Sequence, residues 1–361
     1  MKVAIVSMVN IKHMTLISLY TKYFEEEDID FDIIYVDKYG FPEEFPGAKN
    51  INRTFIDIKE SDHKLRKLRK YFSFRKVVRN EINNNNYDLI IVWRSETAML
   101  LWDILLKSKN EFIYNIRDYC FENNKIIYYL QNRLIKKSKL TTVSSPKFLE
   151  FLPKNNKIEF VNSVNYTLLN QMIEMKKEFK KKDFPLSIGF IGNVRFIEND
   201  KKLLLALKND DRFIIQYFGV GSNELEVFAK KNNINNVEFI DSFESEETLE
   251  LLEKIDIINN LYGNNSAALD TAISIKYYYA VFLRKPILVW KDTFMEEITR
   301  NNNSSFVFDG DFNYIKEKIL KWYESIEEND INEYLKATEL EILKENKKLE
   351  DFLKSLVEEG E

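Results

Sequence analysis

The sequence predicts an α/β protein built as two successive doubly wound domains, each a parallel sheet covered by helices. Three observations lead there. Short continuous apolar runs alternate with longer amphipathic stretches along most of the chain, the pattern of strands buried on both faces and joined by crossover helices. The alternation breaks at a Lys-rich stretch, MKKEFKKKDFP at 175–185, and then starts again. At 361 residues the chain also exceeds what one core usually holds.

The elements follow in order. KVAIVS (2–7) reads as the first strand, and the helical pattern after it sets Met14, Ile17, Tyr20 and Phe24 on one face. FDIIYV (31–36), RTFIDI (53–58), a basic helix, YDLIIVW (87–93) and the helix ETAMLLWDILLKS come next. EFIYNI (111–116), a further helix, KLTTVSS (139–145) and KIEFVNS (157–163) complete the first half. The rhythm restarts with LSIGFIG (186–192), a helix through LLLALKN, FIIQYFG (213–219) and VEFID (237–241). The helix EETLELLEK, DIINNL (256–261), a helix around Lys276 and PILVW (286–290) follow, and the last part of the chain is Glu/Lys-rich and helical. The expected division is an N-terminal domain over 1–175, a C-terminal domain over 184–330, and helices over 331–361 that pack back on the N-terminal domain. Ligands are expected where the carboxyl ends of the strands face a cleft.

Composition narrows the function. The net charge of −5 gives no global attraction to nucleic acid, which is not an expected partner. One cysteine, Cys120, excludes a disulfide framework and fits a reducing compartment. The start, MKVAIVSMVN, is too short in apolar residues for a signal-peptide core, and no later run reaches the roughly 18 apolar residues of a membrane span. A cytoplasmic location is expected. There is no G-x-G-x-x-G after the first strand, no G-x-x-x-x-G-K-[ST] and no G-x-S-x-G, so dehydrogenase, P-loop and hydrolase signatures are missing. His13 and His63 stand apart and Cys/His spacing is lacking, so no metal site is expected.

What remains lies at strand ends. IGFIGNVRF (188–196) closes a strand with Gly192 and Asn193 and sets Arg195 before a helix. Small residues there admit an anion to backbone N–H groups and the helix N-terminus, and an arginine can fork onto phosphate oxygens. The alternative is a tight turn with a solvent-facing arginine. YFGVGSN (217–223), with two glycines, is a turn signal. Tyr262, Gly263, Asn264, Asn265 and Ser266 form a polar loop after a strand, able to bond hydroxyls or phosphate. Lys276 stands at a helix start, where a cation opposes the macrodipole and invites an anion; the alternative is a snorkelling surface lysine. In the first half Arg117 and Asp118 lie just past a strand. Asp118 is placed to meet an acceptor hydroxyl or to cap the next helix. His13 occupies the loop after the first strand, either as a functional group or as a helix-start residue. KLRKLRKYFSFRKVVR (64–79) interleaves cations with Tyr71, Phe72 and Phe74, which suits an anionic membrane surface, with a solvated helix face as the alternative.

IGFIGNVRF, FGVGSN, IDIINNLYGNNS and AISIKYYYAVFLRKPILV together resemble bacterial glycosyltransferases of the GT-B fold, nearest to family-four-like enzymes of capsule and exopolysaccharide synthesis. The likeness is clearest over 186–298, with YDLIIVW, IRDY and TVSSPKFLEFLP in support. The resemblance implies two Rossmann-like domains facing a cleft, the second holding a nucleoside diphosphate sugar without metal or cofactor. It implies cationic roles for Arg195 and Lys276 and a phosphate-facing loop at Gly192 and Asn193, with Lys201 or Lys202 at a further basic position. Such enzymes generally retain anomeric configuration, pass the sugar to a glycan or lipid-linked acceptor, and here would orient that acceptor through Asp118, His13 or Arg117. The family pattern departs at one place: Tyr279 stands where a ribose-binding carboxylate is usual. A nucleotide-sugar epimerase, or a catalytically silent relative acting as a binding partner, are the competing readings.

Overall fold

The computed structural model describes residues 1–58, 63–175 and 177–360; the side chains of Lys64, Leu65 and Leu68 in the basic segment and all of Lys176 in the expected linker lie outside the described residues. The chain divides into two compact units, residues 1–166 with 344–361, and residues 167–343.

Among the described residues the first unit carries a seven-stranded parallel sheet. Its strands are β1 (Lys2–Ser7), β2 (Asp30–Asp37), β3 (Asn50–Phe55), β4 (Leu89–Trp93), β5 (Glu111–Ile116), β6 (Leu140–Val143) and β7 (Ile158–Phe160). Helices α1 (Ser18–Glu26), α2 (Lys64–Asn84), α3 (Ser95–Lys107) and α4 (Lys125–Lys137) join them, and α5 (Tyr166–Glu174) follows β7. The strand order β3-β2-β1-β4-β5-β6-β7 reverses between β1 and β4. The apolar runs are central strands, β1 and β4 being buried almost throughout, because helices cover both faces. The largest displacement is at β3, which spans Asn50–Phe55, not 53–58; the strands expected at 139–145 and 157–163 shorten to β6 and β7. Among the described residues β3 pairs only with β2, from Asp32↔Asn50 to Asp37↔Phe55, and an edge strand's weak apolar pattern leaves its register to the partner.

The second unit holds a six-stranded parallel sheet in the order β10-β9-β8-β11-β12-β13, reversing between β8 and β11. These are β8 (Leu186–Ile191), β9 (Phe213–Phe218), β10 (Val237–Ile240), β11 (Ile257–Asn260), β12 (Ile287–Trp290) and β13 (Ser305–Phe308). The helices are α6 (Ile197–Ala206), α7 (Ser222–Lys231), α8 (Thr248–Glu253), α9 (Ala267–Thr271), α10 (Ile275–Phe282), α11 (Phe294–Thr299) and α12 (Ile315–Glu324).

The last helix, α13 (Glu328–Gly360), gives its final turns to the first unit. Leu349, Leu353 and Leu356 recur at helical spacing and join the core formed by Val3, Ile5, Phe24 and Ile33. Asn346 pins this segment to the chain after β7: its Oδ1 accepts from the Asn162 backbone N–H at 2.8 Å and its Nδ2 donates to the Asn162 carbonyl at 3.0 Å. A buried amide with both ends bonded fixes register as well as adding stability. No described helix is long and apolar enough to cross a membrane.

Candidate functional site

In a doubly wound sheet the crevice opens where the strand order reverses. In the second unit that point is flanked by the loops after β8 and β11, which carry Gly192, Asn193 and Arg195 on one side and 262–266 on the other. The loop after β8 is shaped by glycines. Gly192 has φ +115° and donates its N–H to the Phe218 carbonyl at 2.8 Å; Val194 does the same to Val220 at 2.9 Å. Gly219, at φ +133°, lies so close that a Cβ there would sit 2.0 Å from the Gly192 carbonyl oxygen. The FGVGSN turn is therefore what lets two backbones touch at the strand ends.

Lys276 enters this loop from behind. Ser274 caps α10, its side chain accepting from the Lys276 backbone N–H at 3.3 Å, which sets Lys276 in the first turn. The residue is 2% exposed, so the surface-lysine alternative does not hold. Its ammonium donates to Tyr262 Oη at 2.5 Å and lies 4.0 Å from the Phe190 ring centroid. It is 3.8 Å from where a Cβ on Gly192 would be. The ammonium is thus enclosed by aromatic faces, whose quadrupoles attract a cation, and by one hydroxyl.

Sequence reasoning missed the acid in this cluster. Asp200, in α6, is 4% exposed and accepts from Tyr217 Oη at 3.0 Å. Burial pushes its carboxyl up to about 7, against the opposing pull of Tyr217, Lys276 and Asn259. The available signal was an acid eight residues past the strand-ending Gly192, easily taken for ordinary first-turn helix chemistry.

The other expected residues divide. Asn193 and Arg195 are exposed, and Arg195 has no partner among the described residues. Lys201 pairs with Glu198 at 3.0 Å and Glu224 at 2.9 Å, which occupies it away from a ligand. Asn199 Nδ2 donates to the Tyr262 carbonyl at 3.3 Å, tying the two loops together, and Gly263 at φ +106° makes the turn there. Asn264 Nδ2 donates to the Lys291 carbonyl at 3.1 Å, Asn265 Nδ2 to Asn264 Oδ1 at 2.5 Å, and Ser266 caps α9. Tyr279 is 6% exposed, inside the buried face of α10.

In the first unit the switch point lies between β1 and β4. Arg94, directly after β4, has φ +73° and ψ 153°, a region ordinarily left to glycine. Its guanidinium pairs with Asp118 at 2.7 Å, so Asp118 serves an ion pair; the cap of the next helix is Asn124. Arg117 turns to Ser163 Oγ at 2.5 Å and lies 5.8 Å over Trp93. His13 Nε2 bonds Tyr39 Oη at 2.8 Å. Its pKa is lowered, first by burial and then by Lys12, with Glu43 opposing and Lys38 and Arg94 adding. The lowering favours the neutral imidazole, the form able to accept a proton. No group of three or more His, Cys, Asp or Glu among the described residues is placed to hold a metal ion.

No protein-family model matches the sequence, and no characterised protein matches it by sequence search. Solved structures do match in shape. Sucrose-phosphate synthase from Thermosynechococcus elongatus has a TM-score of 0.72 at 9% identity, covering 98% of this chain and 99% of its own. HepE of Anabaena, solved in complex with UDP and glucose, has a TM-score of 0.68 at 12% identity, covering 98% and 100%. WaaG, a glycosyltransferase involved in lipopolysaccharide biosynthesis, has a TM-score of 0.64 at 11% identity, covering 97% and 99%. The fold of this chain is accordingly the pair of parallel-sheet, Rossmann-like domains shared with GT-B glycosyltransferases.

Proposed function

We propose that the protein is a glycosyltransferase that takes its sugar from a nucleoside diphosphate donor held in the second unit. The observation that carries this reading is the Gly192 turn at the switch point with the Lys276 ammonium fixed behind it. UDP bound to the similarly folded HepE supports it. Breaking the glycosidic bond leaves charge on the departing diphosphate. Lys276 supplies a preorganised positive field at the turn, and Arg195 in the loop supplies a mobile fork, each contributing on the order of one to a few kcal/mol in the transition state. Such stabilisation requires neither metal nor cofactor, and transfer with retention needs no carboxylate nucleophile. His13, Arg117 and Asp118 are the acceptor-side groups, and the acceptor is a glycan or lipid-linked glycan of cell-surface polysaccharide synthesis. Calorimetric titration with UDP and GDP is expected to show binding of one of them. No heat with either at millimolar concentration would exclude the transferase reading. The buried Tyr279 at the usual carboxylate position favours one alternative, a silent relative that binds without turnover, which donor hydrolysis assays separate.

The acceptor side is also proposed to dock on an anionic membrane surface through α2. Arg66, Arg69, Phe72, Lys76 and Arg79 are exposed at helical spacing, while Arg75 is held inward by Asp103 at 2.7 Å. Flotation on vesicles of phosphatidylcholine with phosphatidylglycerol should fall several-fold when Arg66, Arg69 and Lys76 become Gln. Unchanged flotation would refute this docking.

A further inference from the structure

The cluster behind the Gly192 turn contains one buried base and one buried acid. Asp200 reaches it from α6, Tyr217 from β9, Asn259 from β11 and Lys276 from α10. Of the neighbouring charges on α6 itself, Glu198 and Lys201 are engaged with each other, Lys201 also with Glu224, and Lys202 is exposed. Asp200 has no ion-pair partner within 4 Å among the described residues, and Tyr217, its hydroxyl donor, is stacked between Phe190 and Phe239. Solvent cannot screen either charge, so the net charge presented to the turn is set by whether Asp200 holds a proton.

We propose that Asp200 is a positioning residue that couples donor binding to proton uptake: its carboxyl takes a proton from solvent as the diphosphate settles at the Gly192 turn, leaving Lys276 as an uncompensated cation toward the anion. This rests on the donor reading above. No bond of the donor changes; one proton moves from buffer to an Asp200 oxygen. The sign follows from the charges. Ionised Asp200 neutralises Lys276 and repels the diphosphate, whereas the protonated form does neither. Because the free carboxyl titrates at about 7, affinity should rise as pH falls through that value and level off below it. One fully coupled proton corresponds to about tenfold tighter binding at pH 6 than at pH 8.

The test is calorimetry with UDP-glucose and GDP-mannose, whose diphosphates do not titrate in this range, at pH 6, 7 and 8. Measurements at pH 7.5 in phosphate and in Tris, which differ in ionisation enthalpy, count the protons. The expected result is proton uptake at neutral and higher pH with a slope of about tenfold from pH 6 to 8. Asp200→Asn should bind at pH 8 as tightly as the wild type does at pH 6, with no uptake. Equal wild-type affinity at pH 6 and 8 without proton uptake would overturn the coupling, whatever the variant does. The same slope in Asp200→Asn would assign it to another group and overturn it too. No binding of either sugar nucleotide at any pH would overturn the donor reading itself, and the coupling with it.

Discussion

Lys276→Met should lower donor turnover at least tenfold, about 1.4 kcal/mol of barrier, while leaving the fold intact. Methionine nearly matches the aliphatic stem and suits the aromatic walls of Phe190 and Tyr262. What it removes is the charge, in a place where water cannot replace it. On the proposed function that charge acts on the departing diphosphate, so kcat should fall along with kcat/KM. Arg195→Ala should also cost about tenfold in kcat/KM, but with a larger share in KM, since on the same proposal an exposed arginine would also hold the ground-state anion. Donor hydrolysis by both variants, measured across substrate concentration, distinguishes the two roles. Wild-type rates in both would remove them from the site.

Gly219→Ala should strongly destabilise the second unit. Its Cβ would fall 2.0 Å from the Gly192 carbonyl oxygen and 2.7 Å from the carbonyl carbon, both backbone atoms with no rotamer to yield. Gly192 cannot retreat, because its N–H is bonded to Phe218. Overpacking and a side chain at φ +133° together cost about 3 kcal/mol or more, roughly 10 °C of melting temperature for a unit of this size. Gly192→Ala is the control. There the new methyl would meet only Lys276 Nζ at 3.8 Å, so the loss is confined to backbone strain and should be smaller. A Gly219→Ala melting temperature within a degree or two of wild type would show that the two loops are not locked as described.

Both experiments turn on residues of very different legibility. The strands up to β12 are legible as apolar runs, since a strand covered on both faces must be apolar at nearly every position; the four-residue edge strand β13 (Ser305–Phe308) is not. β3 was misplaced by three residues for the converse reason: an edge strand with residues such as Asn50 and Arg53 carries little pattern of its own. Gly192 and Lys276 are legible because glycine at a strand end and a cation at a helix start are locally conspicuous. The two glycines of FGVGSN read only as a turn, and the reason for them is a backbone contact between separate strands. Arg94 gave no signal, as nothing in YDLIIVWRS announces a backbone conformation that glycine normally holds.

By itself the sequence determined the α/β class, the two-fold rhythm and the cations available at strand ends, all of which depend on neighbours a few residues away. Only the tertiary structure decided what those groups do. It tied Asp118 to Arg94 and buried Lys276 within the field of Asp200, 76 residues earlier in the chain. The reason is physical: a charge's role depends on its distance from water and from other charges, and folding sets both.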